Sequence, residues 1–277
     1  MSLVEKALEK MKAEAARGER PEPVAVAAPP TNRPPQAPRH TIHVSLERLR
    51  DARLLPPDSE ARRAENEFRA IKRGMIAQYA ASQAKSYAFM VASALPGEGK
   101  TFTSVNLAMS IAAGRDMRAV LVDADVAKQH ISRDFGVEHE RGLLDALAGG
   151  EETLDDLVIG TDIPNLSIVS AGKPTPAATE LLSSARMARL LERSLATRNP
   201  TVYIFDSPPV LITTEARALA DVLSNVLLIV RAGSTPHSAV REALEAIGEN
   251  KNLSLVLNED PAAAQNGYQY GKYPYGG

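Results

Sequence analysis

The chain of 277 residues contains no cysteine and no tryptophan. The absence of cysteine excludes disulfides, thiol catalysis and thiolate metal ligands. Its 32 Lys and Arg residues nearly balance its 34 Asp and Glu residues, and the resulting net charge of −2 argues against a protein that coats nucleic acid. No apolar run approaches the roughly 18 residues of a membrane span, and no secretion signal opens the chain. We therefore expect a soluble intracellular protein with no nucleic-acid partner.

Charge and proline are distributed unevenly along the chain. Residues 1–84 hold 15 basic and 11 acidic side chains (15 − 11 = +4), whereas residues 85–277 hold 17 basic and 23 acidic ones (17 − 23 = −6). Seven of the 19 prolines lie between Pro21 and Pro38. This division predicts a front segment that is joined to a compact domain.

The front segment begins with a predicted amphipathic helix over residues 1–18, in which Ser2 and Glu5 fit a capping box. This helix is either a solvated element that adds little or a docking helix for a partner. Residues 19–58 begin rich in proline and alanine, and we interpret them as a Pro-rich linker followed by an irregular segment.

A second helix is predicted over residues 59–80, at the start of a domain that we place at residues 59–260. Phe68, Ile71 and Met75 lie on one face of this helix. Its charge is either a solvated face or an electrostatic contact with a neighbouring subunit. The basic residues are Arg62, Arg63, Arg69, Lys72 and Arg73.

The stretch Ser86–Ala94 has the composition of a buried strand and leads into a glycine-containing loop and a helical pattern. Strand, glycine loop and helix in that order are the context of a phosphate-binding loop. Gly97 and Gly99 let the backbone approach phosphate oxygens, and the loop N–H groups with the helix N-terminus form a partly positive cradle. In this arrangement Lys100 reaches the β- and γ-phosphates and the Thr101 hydroxyl binds Mg²⁺.

The loop departs from the usual pattern at one position, because Ala94 stands where a glycine is common. The alternative is an ordinary strand-to-helix turn, but the flanking strand and helix favour phosphate binding. The predicted nucleotide-binding residues of this segment are Pro96, Gly97, Glu98, Gly99, Lys100, Thr101 and Phe102.

Aspartates follow two further apolar runs. Ala119–Val122 precedes Asp123 and Asp125, and Val202–Phe205 precedes Asp206. In parallel α/β sheets, ligands bind beyond the carboxyl ends of the strands. Acidic residues there can coordinate Mg²⁺, directly or through water, and can take a proton from an attacking hydroxyl. For any one of these aspartates alone, a helix cap is the competing interpretation.

The remaining pattern alternates strands with helices. We therefore predict an α/β fold with a mostly parallel sheet that is covered by helices on both faces. Asn258 follows the last strand and is expected either to contact the nucleotide base or to form a turn. The further strands are predicted at 166–170, 226–230 and 253–257, and the helices near 142–149, 177–195, 214–222 and 237–249.

Aromatic residues are few, yet they crowd the end of the chain. Only five Phe and seven Tyr occur in the sequence, and four of the tyrosines lie in the last ten residues, interleaved with Gly and Pro. No periodicity would bury them, so residues 261–277 are predicted to be a disordered tail. Taken alone, it could be a low-complexity segment without a function. The four tyrosines are Tyr268, Tyr270, Tyr273 and Tyr275.

These segments together resemble the bacterial tyrosine kinases (BY-kinases) of the stand-alone cytoplasmic type, and within them the exosortase-associated tyrosine autokinase branch. The resemblance covers roughly residues 59–277 and rests on Pro96–Thr101, Val122–Asp125, Phe205–Pro209 and the tyrosine tail. It implies a P-loop NTPase fold with a flexible N-terminal segment and a disordered tyrosine-rich C-terminal tail.

The resemblance also implies roles for individual residues, with ATP and Mg²⁺ as cofactors. Thr101 and Asp206 would hold Mg²⁺, and Lys100 would bind the phosphates. Asp123 would activate the acceptor hydroxyl, and Asp125 would assist at the outer shell of the metal or at the base.

The sequence departs from the family at two places. Many members have an arginine two residues after Asp125, where this chain has Ala127 followed by Lys128. The oligomerisation helix of the family often follows the pattern Glu-x-x-Arg-x-x-Arg, whereas the matching positions here are Asn66, Arg69 and Lys72. Neighbours that could substitute in that helix are Glu65, Glu67 and Arg73.

The function implied by the resemblance is ATP-dependent autophosphorylation, in trans, of the four tail tyrosines, which regulates exopolysaccharide synthesis, export and chain length. The expected partners are further copies of the chain, a cognate tyrosine phosphatase and the cytoplasmic tail of a chain-length-determinant membrane protein (a polysaccharide co-polymerase). The protein would then lie at the inner membrane through that partner.

Two alternatives belong to other functional classes. One is a partition- or division-site-type ATPase switch, although such proteins often carry an extra lysine near the start of the loop, where this chain has Ser93, Ala94 and Leu95. The other is a scaffold that binds ATP with little turnover and serves a membrane partner.

Overall fold

The computed structural model describes residues 38–80, 86–114, 116–150, 152–196, 199–249 and 251–260. The helix predicted over 1–18, the linker up to residue 37 and the tyrosine tail over 261–277 lie outside these residues.

Eight strands form one sheet in the described part of the chain. They are β1 (Thr41–Ile42), β2 (Tyr87–Ser93), β3 (Arg118–Asp123), β4 (Ile159–Thr161), β5 (Leu166–Val169), β6 (Thr201–Asp206), β7 (Asn225–Arg231) and β8 (Asn252–Asn258). Their order across the sheet is β1-β4-β5-β3-β6-β2-β7-β8. All neighbours pair in parallel except β4 and β5, which are antiparallel.

Nine helices connect the strands in the described residues, with one 3₁₀ turn at Leu154–Asp156. They are α1 (Leu46–Asp51), α2 (Ala61–Ala80), α3 (Lys100–Ala112), α4 (His130–Asp134), α5 (Leu143–Ala148), α6 (Ala178–Leu182), α7 (Ala185–Leu195), α8 (Thr214–Val222) and α9 (His237–Ile247).

The central strands consist of apolar residues because helices cover both faces of the sheet and bury them. Every residue of β6 is buried, as is all of β2 after its first residue. Alternate side chains of these strands enter two separate apolar clusters, so that Met90 and Phe205 lie in one and Phe89 and Ile204 in the other. The predicted α/β fold with a mostly parallel sheet is confirmed.

One predicted helix is two helices. The stretch 177–195 divides into α6 and α7 at Ser183 and Ser184. Ser183 Oγ donates to the carbonyl of Thr179 at 2.9 Å, and Ser184 Oγ donates to the carbonyl of Leu181 at 2.7 Å. Serine hydroxyls that bond nearby backbone carbonyls compete with the helical pattern, and Ser184 takes extended backbone angles.

The structure also differs from the expected irregular segment over residues 38–58. There β1 pairs with β4 at the sheet edge, and α1 begins after Ser45, whose hydroxyl accepts the Arg48 N–H at 3.2 Å. Leu49 is fully buried, with Leu54 6% exposed. No local pattern predicts this segment, because its partners are distant in the chain: β4 lies more than a hundred residues away, and Asn106 of α3, which bonds the Leu54 carbonyl, lies 52 residues away.

Because Leu49 of α1 is buried, we expect this helix to contribute measurably to the free energy of unfolding. Leu49→Ala removes a side chain that is fully buried and should lower the free energy of unfolding by about 2–4 kcal/mol. Leu46→Ala in the same helix is the matched control, because Leu46 is 44% exposed and should change it by less than about 0.5 kcal/mol. Urea unfolding of both variants measures the difference, and equal effects would contradict the burial of this face.

Candidate functional site

The glycine loop and the three predicted aspartates meet at the carboxyl ends of the strands, because three central strands end there side by side. β6 lies between β3 and β2, with Asp123 opposite Asp206 and Asp206 opposite Val91. The loop after β2 leads directly into α3. The carboxyl ends of parallel strands thus bring the glycine loop and the aspartates together.

The glycine loop between β2 and α3 contains two residues with a positive φ. Gly97 has φ 77° and Gly99 has φ 95°, a region that side chains with a Cβ rarely adopt. At Gly99, a Cβ would also lie 2.0 Å from the amide nitrogen of Asn258. The first turn of α3 begins at Lys100, so its free N–H groups face the end of the loop. Such a loop and helix start can cradle an anion.

A hydrogen bond to Ser93 holds the side chain of Lys100 in place. Its side chain is buried, and its Nζ donates to Ser93 Oγ at 2.9 Å. Burial lowers the pKa of Lys100, and the charges of Asp206 and Asp125 counteract that effect in part. The lysine is therefore a preorganised donor at the mouth of the loop.

Asp206 is bound by two hydroxyls from the first turns of α3. Thr101 Oγ1 donates to its Oδ2 at 2.8 Å, and Ser104 Oγ donates to its Oδ1 at 2.9 Å. Burial raises the pKa of Asp206 to about 6, while these hydroxyls act in the opposite direction. Sequence reasoning missed Ser104, although its position three residues after Thr101 on the same helix face was a usable signal.

Asp123 is the most unusual carboxylate of the site. Its Oδ2 accepts hydrogen bonds from the N–H and the Oγ of Ser132, both at 2.7 Å. Its Oδ1 is buried and has no hydrogen-bond partner in the described part of the chain. Burial raises the pKa of Asp123 to about 7, against the effect of the Ser132 bonds. Ser132 thus orients one oxygen of the carboxylate, while the other oxygen is buried without a hydrogen bond.

Ser132 was not identified from the sequence, because no local pattern connects α4 to the end of β3. Its Oγ also accepts the N–H of Ala171 at 3.0 Å, so the serine is fixed between two strand ends. Asp125 has a more local role, since its Oδ1 accepts the Lys128 N–H at 3.2 Å and its carbonyl accepts the Gln129 N–H at 2.7 Å. These bonds shape the turn into α4.

The side chains of Asn258 and Phe102, both predicted to bind the nucleotide, contact other residues of the chain. The Asn258 amide donates to the carbonyl of Glu98 at 2.9 Å. The ring of Phe102 lies 5.9 Å, centroid to centroid, from the ring of Phe68 on α2. Pro96 is exposed on the loop, whereas the Glu98 side chain is buried.

The basic residues of α2 differ in their surroundings. Lys72 Nζ donates to the carbonyl of Ser110 on α3 at 2.8 Å, so this lysine packs against its own domain. Arg69 is exposed and pairs with Glu65 one turn earlier, and Arg73 is exposed on the same helix. Of the three residues predicted for self-association, Arg69 and Arg73 therefore face solvent.

An open cavity is lined by Val126 and Ala127, which follow Asp125 in the chain. Its volume is about 270 Å³, and it lies between the turn after Asp125, the segment after β5 and the start of α8. Its lining includes Val126, Ala127, Pro174 and Pro176, with the carboxylate residue Glu215. A mainly apolar cavity of this size suits a single large side chain better than a whole cofactor.

The site fits Mg²⁺ bound together with a nucleotide. Among the described residues there is no group of three or more His, Asp or Glu side chains that could hold a metal alone. Mg²⁺ commonly binds one or two protein oxygens together with substrate phosphates, and the Thr101 hydroxyl and Asp206 carboxylate supply such a pair. The unpartnered oxygen of Asp123 adds a further polar group at this edge.

Within the described ranges, we find no helix with the length and apolar character needed to cross a membrane.

The pKa of Asp123 predicts that this side chain destabilises the protein at high pH. Because the folded pKa is about 7 and the ordinary value is 3.8, its contribution to stability is fully present below pH 4 and is lost as the pH rises through 7. Asp123→Asn should therefore unfold at a higher temperature than the unsubstituted protein at pH 8. The gain should be on the order of 1–3 kcal/mol.

The same pair of proteins at pH 5 is the control, because the folded proteins then both carry a neutral side chain at position 123. The difference in unfolding free energy should shrink at pH 5. Parallel stability profiles over this range would contradict the raised pKa.

The chain is similar to a known family and to named tyrosine-protein kinases. The model of a family described as an AAA domain matches residues 89–252. The tyrosine-protein kinase CpsD of Streptococcus agalactiae is 30% identical over 77% of this chain and 91% of its own length. The tyrosine-protein kinase YwqD of Bacillus subtilis is 29% identical, over 70% of this chain and 81% of its own length.

The chain spans only about a quarter of two other relatives. The putative tyrosine-protein kinase EpsB of Ralstonia nicotianae is 34% identical, over 65% of this chain but only 24% of its own length. For EpsB of Ralstonia solanacearum, the match covers 26% of that protein's length. Among solved structures, the kinase domain of the Escherichia coli tyrosine kinase ETK superposes with a TM-score of 0.60 at 26% identity, over 69% of this chain and 73% of that one. The BceF tyrosine kinase domain has a TM-score of 0.60 at 28% identity, over 78% and 90%.

Proposed function

Because this chain belongs to the family of bacterial tyrosine-protein kinases, we propose that it is an ATP- and Mg²⁺-dependent protein-tyrosine autokinase. The observation that carries the proposal is the buried carboxylate of Asp123, whose free oxygen lies at the same sheet edge as the phosphate-binding loop. A kinase needs both features together, a cradle for the phosphates and a base for the acceptor hydroxyl.

The nucleotide is bound through its phosphates. Loop N–H groups and the α3 N-terminus contact the phosphate oxygens, and Lys100 offsets the charge of the β- and γ-phosphates. Mg²⁺ held by Thr101 and Asp206 would offset the charge that develops on the transferred phosphoryl group. Since Thr101 and Ser104 already orient Asp206, little rearrangement is needed when the nucleotide binds.

The transfer step uses Asp123 as the base. A tyrosine hydroxyl has an ordinary pKa near 10, so it benefits from losing its proton as it attacks. The proton passes to Asp123, the tyrosine oxygen forms a bond to the γ-phosphorus, and the bond from that phosphorus to the bridging oxygen breaks to release ADP. A base whose pKa is about 7 is well matched to this task near neutral pH.

The acceptors are Tyr268, Tyr270, Tyr273 and Tyr275 of another copy of the chain. From Asn258 to Tyr275 is 17 residues, and any random coil of that length would span roughly 20–25 Å, a distance that suits a neighbouring site. The apolar cavity beside Asp125 is the place where we expect the acceptor ring to lie, because Pro174 and Pro176 offer an apolar wall there.

Phosphorylation would change the charge of the assembly. Each phosphate adds a charge of about −1.5 to −2. This negative charge would repel the tail from an acidic domain and loosen the oligomer. We propose that this cycle regulates exopolysaccharide synthesis, export and chain length. It would operate at the inner membrane with the cytoplasmic tail of a chain-length-determinant protein and a cognate tyrosine phosphatase.

The first test is autophosphorylation of the purified chain with Mg-ATP, detected with a phosphotyrosine antibody. Lys100→Met should reduce the label to background, because it removes the charge that stabilises the transferred phosphoryl group. Lys251→Met, immediately before β8, is the matched control and should be labelled like the unsubstituted chain.

Mixing two deficient proteins tests transfer between copies. One is Lys100→Met with its tail intact, and the other is a truncation after Pro261 with its site intact. Label on the Lys100→Met protein supports transfer in trans. Label on the truncated protein moves the acceptors to Tyr79, Tyr87 or Tyr203. Phosphate released to water without any phosphotyrosine, even with the membrane partner's cytoplasmic tail added, supports an ATPase switch and contradicts the kinase proposal.

The exposed face of α2 is proposed as a self-association surface. Arg69→Glu should lower the assembly mass measured by light scattering, because it reverses a charge at the expected contact. Arg63→Glu is the matched control, since Arg63 has a similar exposure and pairs with Glu67 on another side of the helix. An unchanged mass for Arg69→Glu, or an equal loss in both variants, would exclude this surface.

A further inference from the structure

Residues at the carboxyl ends of β7 and β8 contact the phosphate-binding loop from one side. The Asn258 amide donates to the Glu98 carbonyl at 2.9 Å, and the Thr235 hydroxyl donates to Glu98 Oε1. The other carboxylate oxygen of Glu98 accepts the N–H of Leu95 at 2.8 Å. The Glu98 side chain is only 3% exposed, so all three contacts lie within the structure rather than in solvent.

The residues that hold Glu98 are themselves fixed. Thr235 Oγ1 accepts the N–H of Arg231 at 3.0 Å, and the Ala232 N–H donates to the Asn258 carbonyl at 2.9 Å. An ion pair of 2.5 Å joins Arg231 to Glu259. Thr235 and Asn258 thus form one bracket at the carboxyl ends of β7 and β8.

The bracket also limits where the loop can move. The amide nitrogen of Asn258 lies so close to Gly99 that a Cβ there would be 2.0 Å away, whereas a Cβ at Gly97 would meet nothing within 4 Å. Gly99 therefore lies directly against the Asn258 side chain, whereas Gly97 faces open space. A shift of the loop toward β8 would collide with the Asn258 amide.

We propose that Asn258 and Thr235 are positioning residues that hold the phosphate-binding loop ready for the nucleotide. They act through Glu98, which joins both to the loop backbone. Loop N–H groups bind phosphate best when their geometry is fixed before the ligand arrives, because less order must then be imposed on binding. This inference rests on nucleotide binding at the loop, and it is an alternative to the expectation that Asn258 contacts the base.

The test combines two readouts in Asn258→Ala, Thr235→Val and Thr235→Ser. The first is hydrogen exchange of the backbone amides of residues 95–99 in the nucleotide-free protein. The second is the dissociation constant for Mg-ADP and for Mg-GDP by calorimetry. Asn252→Ala is the matched control, because its amide lies at the other end of β8 and bonds Asn225 Oδ1 at 3.0 Å.

We expect faster loop exchange in Asn258→Ala and Thr235→Val, with binding of both nucleotides weakened by the same factor of about three to ten. Thr235→Ser keeps the hydroxyl and should restore both readouts, and Asn252→Ala should leave them unchanged. Thermal unfolding of each variant shows whether the effect is local to the loop.

Three results would overturn the inference. Unchanged loop exchange in both Asn258→Ala and Thr235→Val would show that the bracket does not hold the loop. A loss of preference for ADP over GDP in Asn258→Ala would return Asn258 to base recognition. Equal effects in Asn252→Ala would make the change a general weakening of β8. If the unsubstituted protein bound neither nucleotide, the proposed function would fail, while loop exchange would still test the bracket.

Discussion

Two carboxylates are buried at the end of neighbouring strands, and hydroxyl groups keep them there. Asp206 accepts from Thr101 and Ser104, and Asp123 accepts twice from Ser132. Burial opposes their ionisation and raises the pKa of each, to about 6 for Asp206 and about 7 for Asp123. Their burial thus lowers the stability of the protein at the place where we propose that a metal ion binds and a proton is accepted.

The rest of the architecture serves this arrangement. The parallel sheet places β2, β3 and β6 side by side, so the glycine loop and the two carboxylates end at one edge. Residues at the carboxyl ends of β7 and β8 support the loop through Glu98. At the opposite side of the sheet, β1 pairs with β4, and the Leu54 carbonyl bonds Asn106 of α3. An arrangement fixed in this way before the ligand binds is what phosphoryl transfer requires, because that chemistry depends mainly on positioning and charge.

The sequence alone predicted the sheet, the loop and the three aspartates, because each is a local pattern. Buried parallel strands appear as apolar runs, and the loop glycines mark a backbone that other residues avoid. Ser132 and the Asn258–Glu98 bond could not be predicted, since each joins segments that are distant in the chain. Residues 38–58 were expected to be irregular for the same reason, because β1 pairs with β4 and the Leu54 carbonyl bonds Asn106 of α3.

The central claim is that Asp123 is the base for phosphoryl transfer to tyrosine. Its most direct test is the pH dependence of the single-turnover rate of tail phosphorylation at saturating Mg-ATP. A base with a pKa of about 7 must lose its proton to act, so the rate should rise with pH and reach half its maximum near pH 7. A rate that stays constant from about pH 5.5 to 8.5 would contradict this account.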